Sequence, residues 1–322
     1  MADTPMPGAR AAQIRPAKKR GAVDILRRDF KRHWQLYLIM LPVLAWYLLF
    51  CYAPLYGLAA AFQRFNVRRG VAGSAWIGLK NFKDFFGSYY FGRVLGNTLR
   101  LNLADLLFAW PTSILFALLL NEIRCSGFKR SVQTLTYLPH FISTVVVCGL
   151  ISDFSAVNGV FNDVAAALGG ARVSLLTKPG LFTPIYVLSN IWSGMGYGSI
   201  IYLAAIGGIN SELYEAAMLD GAGRLRQTWH VTLPGLAPTI ITMLIMRVGS
   251  ILNVGYEKIL LLMNDSNREA AEVISTFVYQ KGLVEASYGY STAVGLFNSV
   301  VCLIFLAGAN ALSRKFSETS LW

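Results

Sequence analysis

Residues 34–65 read WQLYLIMLPVLAWYLLFCYAPLYGLAAAFQRF, and no charged side chain occurs between positions 36 and 62. A helix of about 20 residues crosses the hydrocarbon core of a bilayer, so this stretch is long enough to span a membrane. It is too long for the apolar core of a signal peptide, and no small-residue cleavage site accompanies it. We therefore expect a membrane-spanning helix that the mature chain keeps.

The apolar character continues along the rest of the chain. Its 322 residues are 55% hydrophobic and 14% charged, and the mean hydropathy is +0.48. Soluble proteins carry charge on about a quarter of their residues, so a membrane protein is the better interpretation. We predict an all-α integral membrane protein with six transmembrane helices, near residues 36–62, 98–121, 131–152, 183–208, 237–262 and 290–312.

Lys and Arg are unevenly distributed between the two sides of this topology. They are more numerous in 1–34, 122–130, 209–236 and 313–322 than in 63–97, 153–182 and 263–289. By the positive-inside rule, we expect a multi-pass membrane protein with both termini in the cytoplasm.

Residues 1–34 form a basic arm. Val23, Leu26 and Phe30 share one helical face there, which suits a helix on the inner membrane surface; a simple lead-in to the first span is the alternative. The net charge of +12 is explained in the same way, because the basic residues concentrate on the cytoplasmic side of the membrane, where they meet anionic lipid. We expect no binding to nucleic acid, because no recognised module is present.

The sequence predicts no catalytic residue, metal site or bound cofactor. It lacks the phosphate-binding pattern GxxxxGK[ST] and the zinc pattern HExxH, and His33, His140 and His230 are scattered. The cysteines form no CxxC pair. Asp105 and Glu257, the acidic residues within predicted spans, do not form a recognisable proton relay.

Residues 214–235, YEAAMLDGAGRLRQTWHVTLPG, are a polar connector between two apolar spans. Ser211 is expected to cap its first helix. Gly221 can take a positive φ and reverse the chain into a second short helix, which Pro234 is expected to end. From the residues alone, a docking surface for another protein and an ordinary amphipathic connector remain equal alternatives.

The connector resembles the EAA loop of permease subunits in binding-protein-dependent ABC importers. That pattern reads EAA, three residues, Gly, nine residues, Ile, one residue and Leu-Pro, and Val231 in place of Ile is the one departure. The resemblance implies that 211–234 is a coupling helix that sits in a cleft of an ATP-binding subunit. The implied contact residues are Glu215, Ala216, Ala217, Gly221, Leu233 and Pro234.

The resemblance extends over most of the chain, in 34–65, 76–86, 97–103, 117–124 and 133–143. These segments resemble permeases of polysaccharide-type carbohydrate importers, which are similar to the larger membrane subunit of the maltose importer. The resemblance implies the type I ABC importer permease fold for a permease domain over 35–322.

The same resemblance implies a complex in the bacterial cytoplasmic (inner) membrane. Its other members are a second homologous permease in a heterodimer, two ATP-binding subunits that hold ATP and Mg, and an extracytoplasmic solute-binding protein that delivers an oligosaccharide. The alternatives are a stand-alone secondary transporter or channel, a membrane scaffold, and an importer for amino acids, peptides or ions.

Two spans carry polar residues that suit a sugar pathway. Asn190, Gly194 and Tyr197 share one face of the fourth span and offer an amide, a gap and an aromatic ring. Helix–helix packing is the alternative, and GMGYGS (194–199) is expected to be a close helix contact rather than a nucleotide loop. The candidate pathway residues are Asn190, Trp192, Ser193, Gly194, Tyr197, Arg247, Ser250 and Asn253.

Arg247 is the most specific of these signals. A charge near the bilayer centre costs at least about 2.5 kcal/mol, so this side chain should face a water-filled cavity or an acid. A uronate, as in an alginate oligosaccharide, could bind it through paired hydrogen bonds. An ion pair with Glu257, with Asp105 or with the partner permease is the alternative.

Overall fold

The computed structural model describes residues 22–316, which are almost entirely helical. The first half contains helices α1 (Ala22–Trp46), α2 (Gly70–Gly73), α3 (Lys80–Phe86), α4 (Tyr89–Ala104), α5 (Trp110–Glu122), α6 (Ser126–Tyr137), α7 (Thr144–Ser155) and α8 (Val160–Ala167). The second half contains α9 (Pro179–Gly207), α10 (Ser211–Leu219), α11 (Arg224–Gln227), α12 (Leu233–Gly249), α13 (Tyr256–Leu262), α14 (Arg268–Ala271), α15 (Ile274–Tyr279) and α16 (Tyr288–Phe316).

Turns of other helix types join several of these helices. The π-helical turns are Tyr47–Tyr52, Asp105–Ala109, Thr228–Thr232 and Gln280–Val284, and the 3-10 turns are Ala53–Phe62, Leu138–Phe141 and Leu175–Thr177. Strands β1 (Gln63–Arg64) and β2 (Ala75–Trp76) pair antiparallel as a short hairpin. Residues 22–316 are therefore all-α apart from this hairpin.

The chain divides into two compact units at Gly57. In the first unit, α1 has a kink at His33, where the backbone leaves helical geometry (φ −123°, ψ 27°). Residues 1–21 of the predicted basic arm lie outside the described part, as do the side chains of Val23 and Leu26. The second unit, from Leu58 onward, contains the buried core and the site described below.

Five described helical stretches are long and apolar enough to cross a membrane. They are Phe30–Phe62, Tyr89–Glu122, Thr144–Ala167, Arg224–Gly249 and Tyr288–Lys315. Helix α9 has 29 residues and so extends about 43 Å, which is also enough to cross a bilayer. The expected all-α membrane architecture is confirmed.

Two of the predicted spans are not continuous helices. In place of 131–152, α6 ends at Tyr137, a 3-10 turn contains Pro139, and α7 starts at Thr144. Proline lacks the amide hydrogen and restricts the residue before it, which explains the break. In place of 237–262, α12 ends at Gly249, and α13 starts only at Tyr256.

Glycines bring α9 close to its neighbours. A Cβ atom on Gly196 would lie 2.2 Å from the carbonyl oxygen of Thr136 in α6, and one on Gly198 would lie 2.6 Å from Oγ of Ser113 in α5. Small residues allow such close approach between membrane helices. The prediction that GMGYGS is a close helix contact is confirmed for these two glycines.

The start of α4 is tied to the segment around α14. Arg93 pairs with the carboxylate of Glu272, whose side chain is 5% exposed. The amide nitrogen of Asn97 donates to the carbonyl oxygens of Glu269 and Glu272 at 2.8 and 2.9 Å. Arg100 donates to the Ala270 carbonyl at 2.6 Å. These bonds hold the loop that follows α13 against the long helix Tyr89–Glu122.

Candidate functional site

Four polar side chains from four helical segments join in one hydrogen-bonded chain. Nη1 of Arg247 lies 3.0 Å from Oδ2 of Asp105, and Nδ2 of Asn190 donates to Oδ1 of the same carboxylate at 2.8 Å. Nζ of Lys258 donates to Oδ1 of Asn190 at 2.6 Å. We call Arg247, Asp105, Asn190 and Lys258 the charge network.

Local backbone geometry positions each member. Asp105 opens the π-helical turn between α4 and α5, and such wide turns occur often at functional sites. Arg247 lies in the last turn of α12, and Lys258 lies in the first turn of α13. The two cations therefore flank the non-helical stretch 250–255, whereas Asp105 and Asn190 belong to long helices.

Two neighbouring cavities meet at this network. The larger, of about 430 Å³, is lined by residues of the 138–144 turn, α9 and the 255–258 segment. The smaller, of about 300 Å³, is lined by residues of the helix Tyr89–Glu122, α9, Arg247 and the 253–255 segment. Tyr186, Asn190, Ser193 and Gly255 belong to both walls. The charge network thus separates and lines two spaces that could each hold part of a sugar chain.

Aromatic rings line the larger cavity or stack on a residue that lines it. The imidazole of His140 stacks on the ring of Tyr197, with centroids 3.8 Å apart and an interplanar angle of 5°. Nζ of Lys258 lies 5.4 Å from the ring centroid of Tyr186. Flat rings and hydrogen-bonding amides together are the surfaces that sugar rings and hydroxyls require.

A second candidate site is the connector between α9 and α12. The Asn210 side chain caps α10 by accepting a hydrogen bond from the Glu212 amide at 3.0 Å. Gly221 has φ +72°. The amide of Ala222 bonds to the Ala217 carbonyl at 2.8 Å, and the amide of Gly221 bonds to the Met218 carbonyl. This is a Schellman ending, which reverses the chain into α11.

The connector presents an exposed surface with apolar residues. Leu219 and Leu225 are 90% and 88% exposed. Glu215 is exposed, and its carboxylate makes no hydrogen bond or ion pair with any residue in the described range 22–316. Inside the connector, the Tyr214 hydroxyl lies 3.0 Å from Oγ1 of Thr232 and fixes α10 against the helix that follows. A fixed surface of this kind can bind another protein.

Comparison with known proteins identifies the family. Residues 85–318 match the family described as binding-protein-dependent transport system inner membrane component. The chain belongs to this family.

Relatives and solved structures resemble the permease over nearly its whole length. Protein LplB of Bacillus subtilis (strain 168) is 44% identical over 91% of this chain and 92% of its own. The polygalacturonan/rhamnogalacturonan transport system permease protein YteP, from the same strain, is 42% identical over 95% of this chain and 94% of its own.

Two solved structures of bacterial alginate ABC transporters contain similar chains. One is a complex with an alginate pentasaccharide-bound periplasmic protein; its matching chain has a TM-score of 0.85 and 44% identity, with 92% of this chain and 99% of that chain covered. The other, an importer of the acidic polysaccharide alginate, has a TM-score of 0.84 and 45% identity, with 90% and 99% covered. The expected type I importer permease fold is therefore confirmed.

The permease brings five of the eight candidate pathway residues to the cavity walls. Those five are Asn190, Ser193, Gly194, Arg247 and Asn253. Trp192, Tyr197 and Ser250 line neither of the two cavities, although Tyr197 stacks on His140, which lines the larger cavity.

Two predicted details differ in the permease: the placement of Ser250 and Asn253 on a fifth span, and the close helix contact expected at Gly194. Ser250 and Asn253 do not lie on a fifth span, because α12 has already ended at Gly249. A Cβ atom on Gly194 would meet no atom within 4 Å, so this glycine borders open space.

The partner of Arg247 is Asp105, one of the three alternatives considered from the sequence. Glu257 lines the larger cavity but makes no ion pair with a residue of the described range. Sequence reasoning did not assign Lys258, Tyr186 or His140 to the pathway. Lys258 offered a signal, as a lone cation within an apolar stretch, whereas the approach of His140 to α9 depends on the break at Pro139.

Two predictions about the connector were wrong in detail. Asn210, not Ser211, is the residue whose side chain caps α10. Pro234 does not end the second helix, because α11, the π-helical turn Thr228–Thr232 and α12 run on without interruption. Pro234 is tolerated because it lies in the first turn of α12, directly after the π-helical turn. The positive φ expected at Gly221 is confirmed.

Proposed function

We propose that this permease is the membrane-spanning subunit of an ATP-driven importer that passes an oligosaccharide from an extracytoplasmic binding protein into the cytoplasm. Acidic oligosaccharides, such as those of alginate, are the favoured class. The pair of polar cavities meeting at Asn190, with Arg247 and Lys258 in their walls, is the observation that carries the proposal. Intramembrane charges that line a cavity mark a substrate pathway by default.

The chemistry of the cavity walls supports an acidic sugar. The Asn190 amide and the Ser193 hydroxyl can bond sugar hydroxyls, and the ring of Tyr186 offers an apolar face. Arg247 and Lys258 can each bond a carboxylate, with the guanidinium able to do so through two parallel hydrogen bonds. The similarity to permease chains of alginate transporters supports the same class.

The connector is proposed to couple transport to ATP hydrolysis on separate subunits. This chain contains no phosphate-binding loop, so ATP and Mg would be held by two ATP-binding subunits. The coupling residues would be Glu215, Ala216, Ala217 and Gly221 on the exposed surface, with Leu233 and Pro234 starting the helix that transmits the motion. Closure of the ATPases would move this surface and shift the permease between two states.

The remaining partners and the orientation belong to the same proposal. A second, homologous permease would complete the pathway as a heterodimer, and a solute-binding protein would deliver the sugar from outside. Both termini would face the cytoplasm, where the basic arm would contact anionic lipid. No nucleic acid is involved.

The test is purification of the permease from its native membrane in mild detergent, with its companions identified by mass spectrometry. We expect a second permease and an ATP-binding subunit. The variant Glu215→Lys should reduce recovery of the ATPase and sugar-stimulated ATP hydrolysis by about tenfold or more, because it reverses a charge on the surface that is proposed to contact the ATPase.

The matched control is Asp265→Lys, a charge reversal at a fully exposed acid outside the connector, which should leave both readouts unchanged. Recovery of the folded permease without any ATPase, in several detergents, would contradict the coupling role. It would favour a stand-alone secondary transporter instead, for which the intracavity carboxylate Asp105 would be the natural ion site.

A further inference from the structure

In the charge network, Asp105 engages Arg247 and Asn190, two groups that an acidic sugar would need. Both of its oxygens accept a hydrogen bond, one from Arg247 and one from Asn190. The Asp105 side chain is 15% exposed and that of Arg247 is 51% exposed. The carboxylate therefore forms the buried end of the pair, and the guanidinium faces the cavity.

The contact between Arg247 and Asp105 uses little of the guanidinium. Arginine offers five N–H donors in a planar fork that matches a carboxylate through two parallel bonds. Here a single nitrogen, Nη1, reaches a single oxygen. A carboxylate that enters from the cavity can engage the fork in the two-bond geometry, which is the stronger arrangement.

Lys258 adds a second cation that has no carboxylate partner among residues 22–316. Its ammonium group bonds the neutral amide oxygen of Asn190 instead. The network consequently contains two cations and one carboxylate, with one positive charge in excess. Glu257 also lines the larger cavity but bonds to no member of the network.

We infer that Asp105 is a built-in substitute for the substrate carboxylate. It binds Arg247 when the pathway is empty, and the carboxylate of a uronate that enters the cavity takes its place on Arg247. This inference rests on the proposed function and adds the group that the substrate must displace. Exchange of one carboxylate for another keeps Arg247 neutralised, while the released Asp105 carboxylate keeps its hydrogen bond from Asn190, whose amide oxygen is bonded to Lys258. With the uronate bound, the site holds two cations and two carboxylates, so the excess positive charge is balanced.

The experiment measures sugar binding to the assembled importer in nanodiscs, without nucleotide and without the binding protein. The two probes are a labelled oligouronate and its carboxyl-reduced counterpart of equal length. Asp105→Asn removes the competing charge while keeping the size of the side chain. We expect it to bind the oligouronate about tenfold more tightly, as a released charge-assisted bond implies, with no change for the reduced sugar.

Variants at the two cations test whether these groups bind the carboxylate of the sugar. Arg247→Gln and Lys258→Met should each weaken oligouronate binding and leave the reduced sugar unchanged. Lys281→Met is the control, because it also removes a positive charge but lies outside both cavities, paired with Glu285. If Asp105→Asn does not assemble, Asp105→Ser takes its place in the same comparison of the two sugars.

The inference is overturned if Asp105→Asn does not bind the oligouronate more tightly than the unaltered importer does while its affinity for the reduced sugar stays the same. Binding of neither sugar by an assembled Asp105→Asn importer also overturns it. It is also overturned if the cation variants leave oligouronate binding unchanged. ATP-driven uptake by the unaltered importer, measured separately in proteoliposomes with the binding protein, tests the proposed function. If the unaltered importer takes up sugar but the variants bind the two probes without the expected difference, only the role of Asp105 is refuted. If the unaltered importer takes up neither sugar, the proposed function is refuted.

Discussion

Gly196 lets α9 approach the backbone of α6 closely, and replacing it by alanine should destabilise the permease. The added Cβ would lie 2.2 Å from the Thr136 carbonyl oxygen and 2.6 Å from the Thr136 carbonyl carbon, while ordinary contact begins at about 3.4 Å. The helices would have to separate by about 1.2 Å at this point. Because the obstructing atoms belong to the backbone, no side-chain rotation can relieve the clash.

The expected size of the effect follows from measured costs of overfilling a packed interior. Such substitutions cost about 1–3 kcal/mol, which corresponds to a fall in melting temperature of roughly 2–10 °C for a domain of a few hundred residues. The assay is thermal unfolding of the purified complex, followed by intrinsic tryptophan fluorescence, for the unaltered protein and for Gly196→Ala.

Gly194→Ala is the matched control on the same helix. A Cβ atom there meets nothing within 4 Å, and alanine has the higher helix propensity, so its melting temperature should be unchanged or slightly higher. Equal melting temperatures for the two variants would refute the close-packing argument. A fall for Gly194→Ala alone would show that the open space beside α9 is filled in the assembled complex.

Two further predictions concern the connector and the ion pairs. Gly221→Ala places a side chain at φ +72°, which costs about 1 kcal/mol, so ATPase co-purification should fall, while Gly223→Ala at φ −69° should not change it. Arg93→Met leaves the buried carboxylate of Glu272 unpaired and should cost about 3–5 kcal/mol in a thermal unfolding series. Lys281→Met breaks a more exposed pair and should cost at most about 1 kcal/mol; comparable losses for both would contradict this ranking.

Much of the architecture could be predicted because the bilayer imposes simple rules. A long uncharged stretch such as 36–62 has to satisfy its backbone groups internally, so it has to be helical. The turn at Gly221 was predictable for a similar reason, because few residues other than glycine adopt a positive φ at a helix end. These inferences depend on neighbours in the sequence and not on distant contacts.

The charge network could be predicted only in part, because it depends on contacts between distant segments. Arg247 was recognisable as a charge that needs a partner. Its choice of Asp105 over Glu257 depends on which way each acid points, and that direction is set by the π-helical turn at Asp105 and by the end of α12. Lys258 meets Asn190 only because the chain is no longer helical between Arg247 and Lys258.

The break at 250–255 is where hydropathy alone was misleading, and its chemistry explains why it is tolerated. Non-helical backbone at membrane depth is stable only if it is buried in protein or lines a water-filled space. Asn253 and Gly255 line the smaller cavity, and Asn298 of α16 donates to Oδ1 of Asn253 at 2.8 Å. Gly249 lets α12 approach Leu306 of α16, since a Cβ there would lie 2.6 Å from Cδ1 of Leu306.

The same break places the two cations of the network on different helices. A continuous helix over 237–262 would fix the positions of Arg247 and Lys258 relative to one another. The chain is interrupted between Gly249 and Tyr256, so α12 is not rigidly joined to α13. Ile259 and Leu262 of α13 pack in the same core cluster as the long helices that carry Asp105 and Asn190. Because α12 continues directly from the connector, a push on Glu215 and its neighbours would reach Arg247 before it reached Lys258. Motion of the connector would therefore change the spacing of the two charges that are proposed to bind the sugar, and this would be the step at which ATP hydrolysis on the proposed partner subunits acts on the substrate.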